Sequence, residues 1–425
     1  LGLDPLVHVT CKEGLMRVEQ NGKINNIQTN KPFDILRDIQ KDYKSPGYDD
    51  NMPPFTGGFV GYFGYSMINY TEPKLKIKRG DFDDLDLMLF NKVIAFDHFK
   101  QKIFIIINIK TDDVSENYKN ALNELELIAS MIKDNQPLTK IKTEKNINFA
   151  CNLSKEDYCN MVARAKEYII DGDIFQAVLS RQFSAPFKES LINAYRVLRT
   201  TNPSPYMVYM HIDGTEIMCS SPETLVRLQK GRLTTFPVAG SRPRGKTKEE
   251  DKKLEEELLN DEKELSEHNM LVDLGRNDLG KISEYSSVKV TEYMMIHRYS
   301  KIMHICSQVE SNILYECDGY NAIEAVLPAG TLSGAPKFRA CEIIEELEKE
   351  PRGIYGGALG YLDFNGNLDT CIAIRMAVKK NDKVYVQAGG GIVADSIPEN
   401  EYDESGNKAL ALMNAVCGAW EADDE

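Results

Sequence analysis

Residues 264–278 read Glu-Leu-Ser-Glu-His-Asn-Met-Leu-Val-Asp-Leu-Gly-Arg-Asn-Asp and follow a charge-rich run of good helix formers. The apolar residues of this stretch recur at helical spacing: Leu265, Met270, Leu271 and Leu274. That pattern predicts an amphipathic helix with one buried stripe. Because residues three and four apart share a helix face, we expect Glu264, Glu267 and His268 to project together. Two like charges at this spacing repel each other unless a cation lies between them.

A second pair of glutamates lies far downstream, at Glu401 and Glu404, and Lys408 follows one turn later in a helix predicted over residues 399–416. Two glutamate pairs on two helices offer four hard oxygen ligands, which suit Mg²⁺ better than zinc. We therefore predict a magnesium site between the two helices. The alternative is that both pairs lie on solvated helix faces, which is the usual role of paired glutamates.

The composition limits the class of protein. The chain has 425 residues, of which 42% are hydrophobic, so it can bury a sizeable core as one large domain or as two to three smaller ones. Its net charge of −14 argues against nucleic acid and membranes as partners. Nine cysteines without a Cys-x-x-Cys pair, no apolar run of membrane-spanning length and no signal peptide predict a cytoplasmic protein with reduced thiols. Since the chain opens at Leu1 in mid-pattern, we expect its natural start to lie upstream.

The chain divides into two regions, residues 1–135 and 150–418, and the polar residues 136–148 between them are the best linker candidate. Strands are grouped with helices rather than alternating strictly with them, which predicts an α+β fold with antiparallel sheets. We expect the two regions to form one interwoven globular unit. The glycine-rich pattern at 57–62 recurs at 356–361, and we interpret the two copies as equivalent strands in two sheets.

Several unusual motifs occur in the second region. They are Ile-Phe-Gln-Ala-Val-Leu-Ser-Arg-Gln-Phe at 174–183, Asn-Pro-Ser-Pro-Tyr-Met at 202–207, Phe-Pro-Val-Ala-Gly-Ser-Arg-Pro-Arg-Gly at 236–245, Leu-Pro-Ala-Gly-Thr-Leu-Ser-Gly-Ala-Pro-Lys at 327–337 and Gly-Gly-Gly at 389–391. In this order they resemble the chorismate-binding enzymes, a family that includes anthranilate, aminodeoxychorismate, isochorismate and salicylate synthases. Residues 1–135 resemble the N-terminal region of the first two groups more weakly. The resemblance implies a large sandwich of two facing antiparallel β-sheets with helices on the outside.

The resemblance also implies a substrate and a cofactor. Chorismate carries two carboxylates, a C4 hydroxyl and an enolpyruvyl ether. Glu267 and Glu404 are implied as ligands of Mg²⁺, and Glu264 and Glu401 as the residues that fix its waters. Bound to the ring carboxylate, the metal would draw electron density toward it while the C4 hydroxyl leaves.

The remaining pocket residues follow from the same resemblance. The implied catalytic residues are Glu223, which protonates the departing hydroxyl, His304 and Thr331. The implied substrate-binding residues are Gly240, Ser241, Thr331, Tyr355, Arg375, Gly389, Gly390, Gly391 and Lys408. Family members usually carry threonine at Ser241, and the hydroxyl is retained here. Taken alone, these residues also fit structural roles: Arg375 in a surface ion pair and His304 as a core histidine.

Two positions discriminate within the family. Water-using members carry a lysine where this chain has Gln176, and aminodeoxychorismate synthases typically carry a nucleophilic lysine where it has Ala239. With neither lysine, the pocket is left for ammonia, which needs no base in its neutral form. The sequence therefore most resembles anthranilate synthase component I, a lyase of tryptophan biosynthesis that forms anthranilate and pyruvate. The alternatives are aminodeoxychorismate synthase component I of the folate pathway and a non-catalytic paralogue that binds chorismate or tryptophan.

Two partners are implied as well. No cysteine lies in a Gly-x-Cys-x-Gly elbow, so a separate glutamine amidotransferase subunit is the expected ammonia source. Anthranilate synthases are typically inhibited by tryptophan bound between a Leu-Leu-Glu-Ser strand and the 202–207 tract. We expect Pro205, Tyr206 and Met207 to line that site, and reduced tryptophan sensitivity because the first strand is not found. Alternatively, the tract is a proline-terminated turn into a strand.

Overall fold

The computed structural model describes residues 1–46, 51–134, 147–299 and 302–423, so most of the linker candidate at 136–148 lies outside the described residues. The strands are β1 Val7–Lys12, β2 Leu15–Gln20, β3 Lys23–Gln28, β4 Gly58–Phe63, β5 Leu85–Phe90, β6 Lys92–Asp97, β7 Lys102–Ile107, β8 Ala150–Cys151, β9 Gln176–Pro186, β10 Tyr206–Ile212, β11 Thr215–Ser221, β12 Thr224–Gln229, β13 Arg232–Thr235, β14 Val238–Pro243, β15 Lys289–Arg298, β16 Ile302–Asn312, β17 Gly334–Ala335, β18 Ala358–Asp363, β19 Leu368–Ile372, β20 Met376–Lys380 and β21 Lys383–Ile392. The α-helices are α1 Pro32–Gln40, α2 Ile68–Thr71, α3 Val114–Lys133, α4 Lys155–Ile170, α5 Ile192–Thr201, α6 Lys248–Leu259, α7 Glu262–Gly280, α8 Gly319–Val326, α9 Lys337–Leu347 and α10 Pro398–Cys417. The helices predicted over 264–278 and 399–416 are confirmed as parts of α7 and α10.

The larger sheet is antiparallel and joins the two regions of the chain. Its strand order is β14-β16-β13-β12-β19-β18-β4-β5-β1-β2-β3, with β15 paired to β16. The two glycine-rich copies are the neighbouring strands β4 and β18, in which Gly61 lies opposite Gly360. Our interpretation of them as equivalent strands in two sheets is therefore wrong. Both glycines serve close packing within one sheet, because an added Cβ would lie 2.0 Å from the Asp86 oxygen at Gly61 and 2.1 Å from the Asp369 oxygen at Gly360.

The second sheet is also antiparallel and packs face to face on the first. Its strand order is β10-β11-β20-β21-β9-β17, with β8 paired to β9, while β6 and β7 form a separate ribbon. Tyr62 and Leu359 of the larger sheet share one buried cluster with Met210, Ile217 and Met376 of the second. The predicted α+β sandwich of two facing antiparallel sheets is confirmed.

Helices cover the outer faces of both sheets. Residues of α1, α7 and α8 pack on the larger sheet, and residues of α4, α5, α9 and α10 pack on the second. Val384, Val386 and Ala388 of β21 share one buried cluster with Leu412 of α10. Strand alternation places Gly390 on this same face, just beyond the apolar contact. Within the described ranges, no helix combines the length and apolarity needed to cross a membrane.

Candidate active site

One cavity of about 570 Å³ collects side chains from α7, α10 and both sheets. It is lined by all the residues predicted for catalysis, substrate binding and metal binding: Glu223, Gly240, Ser241, Glu264, Glu267, His304, Thr331, Tyr355, Arg375, Gly389, Gly390, Gly391, Glu401, Glu404 and Lys408. Gln176 and Ala239 line it too. The fold thus brings together residues that are widely separated in sequence, which makes this cavity the candidate active site.

The first turn of α7 is fixed by its cap and by an arginine of β14. The Asp261 carboxylate accepts hydrogen bonds from the backbone N–H groups of Lys263 and Glu264. Arg242 places one nitrogen 2.7 Å from Asp261 Oδ2 and another 3.2 Å from Glu264 Oε1. Burial raises the pKa of Glu267, and the negative charges of Glu264 and Glu404 add to the rise. The carboxylates of α7 and α10 therefore lie close enough to repel each other.

His268 does not join these glutamates. Its side chain is fully buried, and its Nε2 lies 2.6 Å from Ser307 Oγ of β16. Burial lowers the pKa of His268 to about 4, so the ring is neutral. Successive helix residues are rotated by about 100°, so Glu267 faces the cavity while His268 faces the sheet. The expectation that His268 projects together with Glu264 and Glu267 is wrong.

On α10 the glutamates point at the glycine strand. A Cβ added at Gly390 would lie 3.0 Å from Glu401 Oε2 and 4.0 Å from Glu404 Oε1. Burial raises the pKa of Glu401, and the charge of Glu404 contributes. Lys408 Nζ lies 2.7 Å from Glu404 Oε1 and donates to the carbonyl of Gly389 at 3.2 Å. Lys408 thus ties α10 to β21 at the rim of the cavity.

The four glutamates fit a magnesium ion by their chemistry. In the part of the chain that the structure describes, no three His, Cys, Asp or Glu side chains form a ready-made metal cage. Mg²⁺ does not require one, because it keeps several waters and is usually held by one or two carboxylates together with its substrate. The raised pKa values of Glu267 and Glu401 mark a site where a divalent cation would relieve the repulsion between carboxylates.

Glu223 lies between β11 and β12 at the wall of the cavity. Burial raises the pKa of Glu223 to about 7, although the Thr331 hydroxyl and the charges of Arg375 and Lys408 oppose the shift. A carboxyl group with this pKa is partly protonated at neutral pH. It can therefore donate a proton to a leaving group as a general acid.

His304 of β16 is held as a neutral base or acceptor. Its Nδ1 lies 3.3 Å from the carbonyl oxygen of Gly240, which can only accept a hydrogen bond. We therefore assign the proton to Nδ1, which leaves Nε2 free to accept a hydrogen bond. Burial and the nearby Arg375 lower the pKa of His304. The histidine thus carries no charge at neutral pH.

Arg375 occupies the turn between β19 and β20 with a φ of +47°, a conformation that non-glycine residues rarely adopt. Its guanidinium makes no ion pair or hydrogen bond with any described residue, so the alternative of a surface ion pair is not found. Strained backbone is typical of functional sites, where the surrounding structure holds it in place. An unpaired guanidinium at a cavity wall can bind a carboxylate through two parallel hydrogen bonds.

The three consecutive glycines of β21 are required by close neighbours. A Cβ at Gly389 would lie 2.3 Å from the Leu179 oxygen, and one at Gly391 would lie 2.1 Å from Gln176 Nε2. Both neighbours belong to β9, which pairs with β21 along its whole length. The bare strand lets a ligand approach the backbone, which a side chain would prevent.

A buried polar network behind the cavity was not found from the sequence. The Gln387 amide donates to Ser180 Oγ at 2.9 Å, and Ser180 Oγ donates to Glu348 Oε1 at 2.9 Å. Arg352 donates to both oxygens of Glu348, and both side chains are almost fully buried. The four-residue spacing of Glu348 and Arg352 is the only available signal. It falls in a charge-rich segment that equally predicts a solvated helix end.

A family model described as chorismate binding enzyme matches residues 9–414. The chain belongs to the chorismate-binding enzymes. It is 46% identical to a protein named anthranilate synthase component 1 from Acetivibrio thermocellus, over 99% of this chain and 87% of that protein. It is 44% identical to a protein of the same name from Aquifex aeolicus, over 98% of this chain and 86% of that protein. The solved structure of anthranilate synthase component I from Streptococcus pneumoniae TIGR4 is 38% identical, with a TM-score of 0.86 over 97% of this chain and 91% of that chain.

Chorismate-binding enzymes of this kind are generally magnesium-dependent, which agrees with the chemistry of the four glutamates. The two positions that discriminate within the family also lie at this cavity. Gln176 Nε2 donates to Glu267 Oε1 at 3.5 Å, while its Oε1 is buried without a hydrogen-bond partner among the described residues. Ala239 directly precedes Gly240 in β14.

Pro205, Tyr206 and Met207 do not line this cavity. Tyr206 begins β10, and its hydroxyl donates to Asp369 Oδ1 at 2.7 Å. Met207 packs against the cluster beneath α5 and α10. These contacts are those of a strand start, so a tryptophan site at this tract stays a prediction.

Proposed function

We propose that this chain is the chorismate-converting component of an anthranilate synthase, which forms anthranilate and pyruvate from chorismate and ammonia. The observation that carries this proposal is the cavity itself. It combines a half-buried acid, an unpaired guanidinium and four carboxylates with glutamine and alanine at the two lysine positions of other family members. The relatives named anthranilate synthase component 1 support the same conclusion.

Chorismate is held by its two carboxylates. Arg375 binds the enolpyruvyl carboxylate, and the Tyr355 hydroxyl lies near the Gly389 backbone on the same wall. Glu267 and Glu404 would hold Mg²⁺ beside the ring carboxylate, with Glu264 and Glu401 holding its waters. When bound, the ion supplies Lewis-acid stabilisation of negative charge at that carboxylate.

Glu223 and His304 carry out the proton transfers of the reaction. Glu223 in its protonated form gives a proton to the C4 hydroxyl as the C4–O bond breaks. His304 Nε2 accepts a proton when the ring becomes aromatic and pyruvate leaves, because its Nδ1 already carries one. Glu223 is therefore the general acid and His304 the general base, because their environments shift their pKa values in opposite directions.

Ammonia enters on the side of Gln176. Gln176 lines the cavity at the position where water-using members carry a lysine, and its amide cannot act as a base, so the nucleophile is one that needs none. Anthranilate synthase component I works with a glutamine amidotransferase partner. We assign ammonia production from glutamine to such a subunit, since this chain has no Gly-x-Cys-x-Gly elbow.

The proposal is tested by incubating the protein with chorismate, Mg²⁺ and an ammonium salt at raised pH. We expect anthranilate fluorescence with ammonia and none with glutamine alone. Accumulation of aminodeoxychorismate would instead assign the chain to the aminodeoxychorismate synthases. Binding of chorismate without its consumption would identify a non-catalytic paralogue.

We also propose that tryptophan acts as a feedback inhibitor and contacts Pro205, Tyr206 and Met207. The support is the family tract at the start of β10, outside the substrate cavity. Met207→Ala should weaken inhibition by about 10-fold, because it removes about three heavy atoms of apolar contact, and should leave kcat unchanged. Equal inhibition of variant and wild type would place the inhibitor elsewhere.

A further inference from the structure

The buried pair of Arg352 and Glu348 lies behind several walls of the large cavity. Both side chains are almost fully buried, and Arg352 Nε lies 2.8 Å from Glu348 Oε2. One terminal nitrogen of Arg352 donates to the carbonyl oxygen of Leu332 at 2.5 Å, and the other donates to that of Val178 at 2.6 Å. Leu332 and Val178 both line the cavity. The pair therefore joins the loop that carries Thr331 to strand β9.

The same guanidinium also lies against Tyr355. Its carbon is 5.9 Å from the centre of the Tyr355 ring and 4.7 Å from the centre of the Tyr65 ring. A cation at these distances is attracted to the ring face. Tyr65 is almost fully buried, whereas Tyr355 lines the cavity with its hydroxyl near the Gly389 backbone. Arg352 thus supports a residue proposed to bind substrate, although it does not line the cavity itself.

Glu348 fixes the orientation of the Gln387 amide through Ser180. A carboxylate paired with an arginine only accepts hydrogen bonds, so the Ser180 hydroxyl donates its single proton to Glu348 Oε1, 2.9 Å away. Ser180 Oγ can then only accept, and the group that donates to it is the Gln387 amide nitrogen, also at 2.9 Å. The Gln387 oxygen is left without a hydrogen-bond partner among the described residues, and Gln387 lines the cavity. An oxygen at this point can bind an O–H or N–H group of a ligand but not a carboxylate.

Stability alone does not account for this buried pair. Replacing a buried ion pair by uncharged residues of similar volume is often neutral or stabilising. The hydrogen bonds of Arg352 instead end on Glu348 or on the carbonyl oxygens of cavity-lining residues. This distribution of contacts favours a role in placing the cavity walls relative to one another.

We propose that Arg352, together with Glu348, is a positioning residue for the reaction, an inference that rests on the proposed function. The pair holds the Tyr355 ring and the Thr331 loop in place, and it keeps the Gln387 oxygen, rather than the nitrogen, available to the ligand. A displacement of catalytic or binding groups by about 1 Å can lower a rate by about 100-fold. Arg352 therefore acts on the reaction through residues that contact the substrate.

The double variant Glu348→Gln/Arg352→Met tests this role, because it removes both charges and leaves no unpaired ion in the interior. We expect a folded protein whose kcat/KM for chorismate with free ammonia is about 100-fold lower. Glu216→Gln/Lys379→Met is the matched control. That pair is also largely buried, with its charged atoms 3.1 Å apart, and neither residue lines the cavity. The control variant should retain the kinetics of the wild type.

Two further readouts separate positioning from a general loss of structure. Burial raises the pKa of Glu223, and the nearby Thr331 hydroxyl opposes that rise. A displaced Thr331 should therefore move the limb of the pH profile to higher pH in the Arg352 variant and not in the control. The KM for chorismate should rise as well, since Tyr355 belongs to the proposed binding wall.

Ser180→Ala tests the link to Gln387 by itself. It removes the hydroxyl between Glu348 and Gln387, so that the amide is free to turn. We expect kcat/KM to fall by about 10-fold, the effect of one hydrogen bond, with little change in thermal unfolding. Ser180→Thr keeps the hydroxyl and should retain most of the activity.

Wild-type kinetics in the folded Glu348→Gln/Arg352→Met variant, or an equal loss in the Glu216→Gln/Lys379→Met control, would overturn the positioning role while leaving anthranilate formation intact. If the double variant does not fold, Arg352→Lys keeps the charge but loses the planar set of donors. An unchanged KM and pH profile in Arg352→Lys would overturn the role equally. A wild-type protein that forms no anthranilate from ammonia would overturn the proposed function and the positioning role together.

Discussion

Glu223 has a pKa of about 7, well above that of an ordinary glutamate, because the protein around it excludes water. The protonated form is the proposed acid, so activity should fall as the pH rises through this value. The fall becomes visible when the rate is expressed per concentration of neutral ammonia, which itself increases with pH. Glu223→Gln should abolish turnover at every pH. A pH profile of wild type without a limb near 7 would contradict the role of this carboxyl.

Glu223 should also lower the free energy of unfolding at neutral and higher pH. An unfolded glutamate ionises at a pKa of about 4.3, whereas folded Glu223 keeps its proton up to about 7. The folded state binds more protons between these values, so the free energy of unfolding contributed by Glu223 falls as the pH rises through that window. Glu223→Gln should therefore stabilise the fold by about 1–2 kcal/mol at pH 8 after allowance for solvent access, and by less at pH 5.5. Urea unfolding at both pH values measures the difference.

The four glutamates should differ in importance. Glu267→Gln and Glu404→Gln should abolish turnover, since each removes a proposed direct ligand. Glu264→Gln and Glu401→Gln should reduce it by about 10–100-fold, as is usual for residues that support ligands. Isothermal titration with Mg²⁺ provides a binding readout, and circular dichroism confirms the fold. Identical Mg²⁺ dependence in wild type and all four variants would contradict the metal assignment.

At this scale the sequence predicted which residues share the cavity but not how each is held. Family motifs identified Glu223, His304 and Arg375, and the structure brings all three together. The error at His268 arose because a helical pattern fixes relative angles and not the direction of the helix in the fold. The Glu348–Arg352 pair was missed because burial, which turns a common spacing into a network, is a property of the tertiary structure.

At the scale of elements, Arg181 of β9 fixes the position of α10. Its Nε donates to Ser405 Oγ at 3.0 Å, one terminal nitrogen donates to the Tyr402 carbonyl at 2.5 Å, and the guanidinium lies 3.7 Å from the centre of the Tyr402 ring. These contacts fall between Glu401 and Lys408 in the helix. The planar guanidinium of Arg181 therefore holds α10 in place and positions the proposed metal ligands of this helix next to β21.

Arg181→Lys keeps the charge but removes the planar stack and one of the two hydrogen-bond directions. We expect weaker Mg²⁺ binding by about 10-fold and faster amide exchange in the first turns of α10, with the overall fold retained. Arg232→Lys is a suitable control, because that side chain is exposed and, among the described residues, forms only a surface pair with Glu310. Unchanged Mg²⁺ affinity and exchange in Arg181→Lys would show that α10 is positioned by its apolar face alone.

Both helices that carry the glutamates were predictable, since their apolar periodicity and N-terminal signals are local. The sequence did not predict from local signals that the two helices meet at one cavity, because this depends on which sheet face each helix covers. Apolar residues of β21 pack against α10. Where this apolar contact ends, Gly390 leaves space for the glutamate side chains of the helix. Local sequence supplies the periodicity, while the register between helix and sheet comes from packing.

At the scale of the whole molecule, we propose that the two regions form a single cooperative unit. Residues 1–134 contribute β1 to β5 to the larger sheet, and residues 147–423 contribute β12 to β16, β18 and β19. Separating them would leave β4 and β18 without each other and would expose apolar residues of both sheets. Expressed alone, neither piece should show a cooperative thermal transition. A sharp transition in either isolated piece would contradict the single unit.

The α+β class and the sandwich were predictable from the grouping of strands and from family resemblance. The pairing of the two glycine-rich strands was not. Two similar glycine-rich sequences suggest equivalent positions in two different sheets. However, two strands that each have a glycine at the same point can also pair with each other in one sheet. Sequence similarity alone does not separate these two arrangements.

The β4–β18 pair also sets the order of events during synthesis. Gly61 leaves the ribosome about 300 residues before its partner Gly360, so at about 5–20 residues per second β4 waits roughly 15 to 60 s for its neighbour. During that time an apolar strand edge stays open to other nascent chains and to chaperones. We therefore expect the early part of the chain to remain an unfinished sheet during synthesis, and translation speed as well as sequence to influence how much of the chain reaches the folded state.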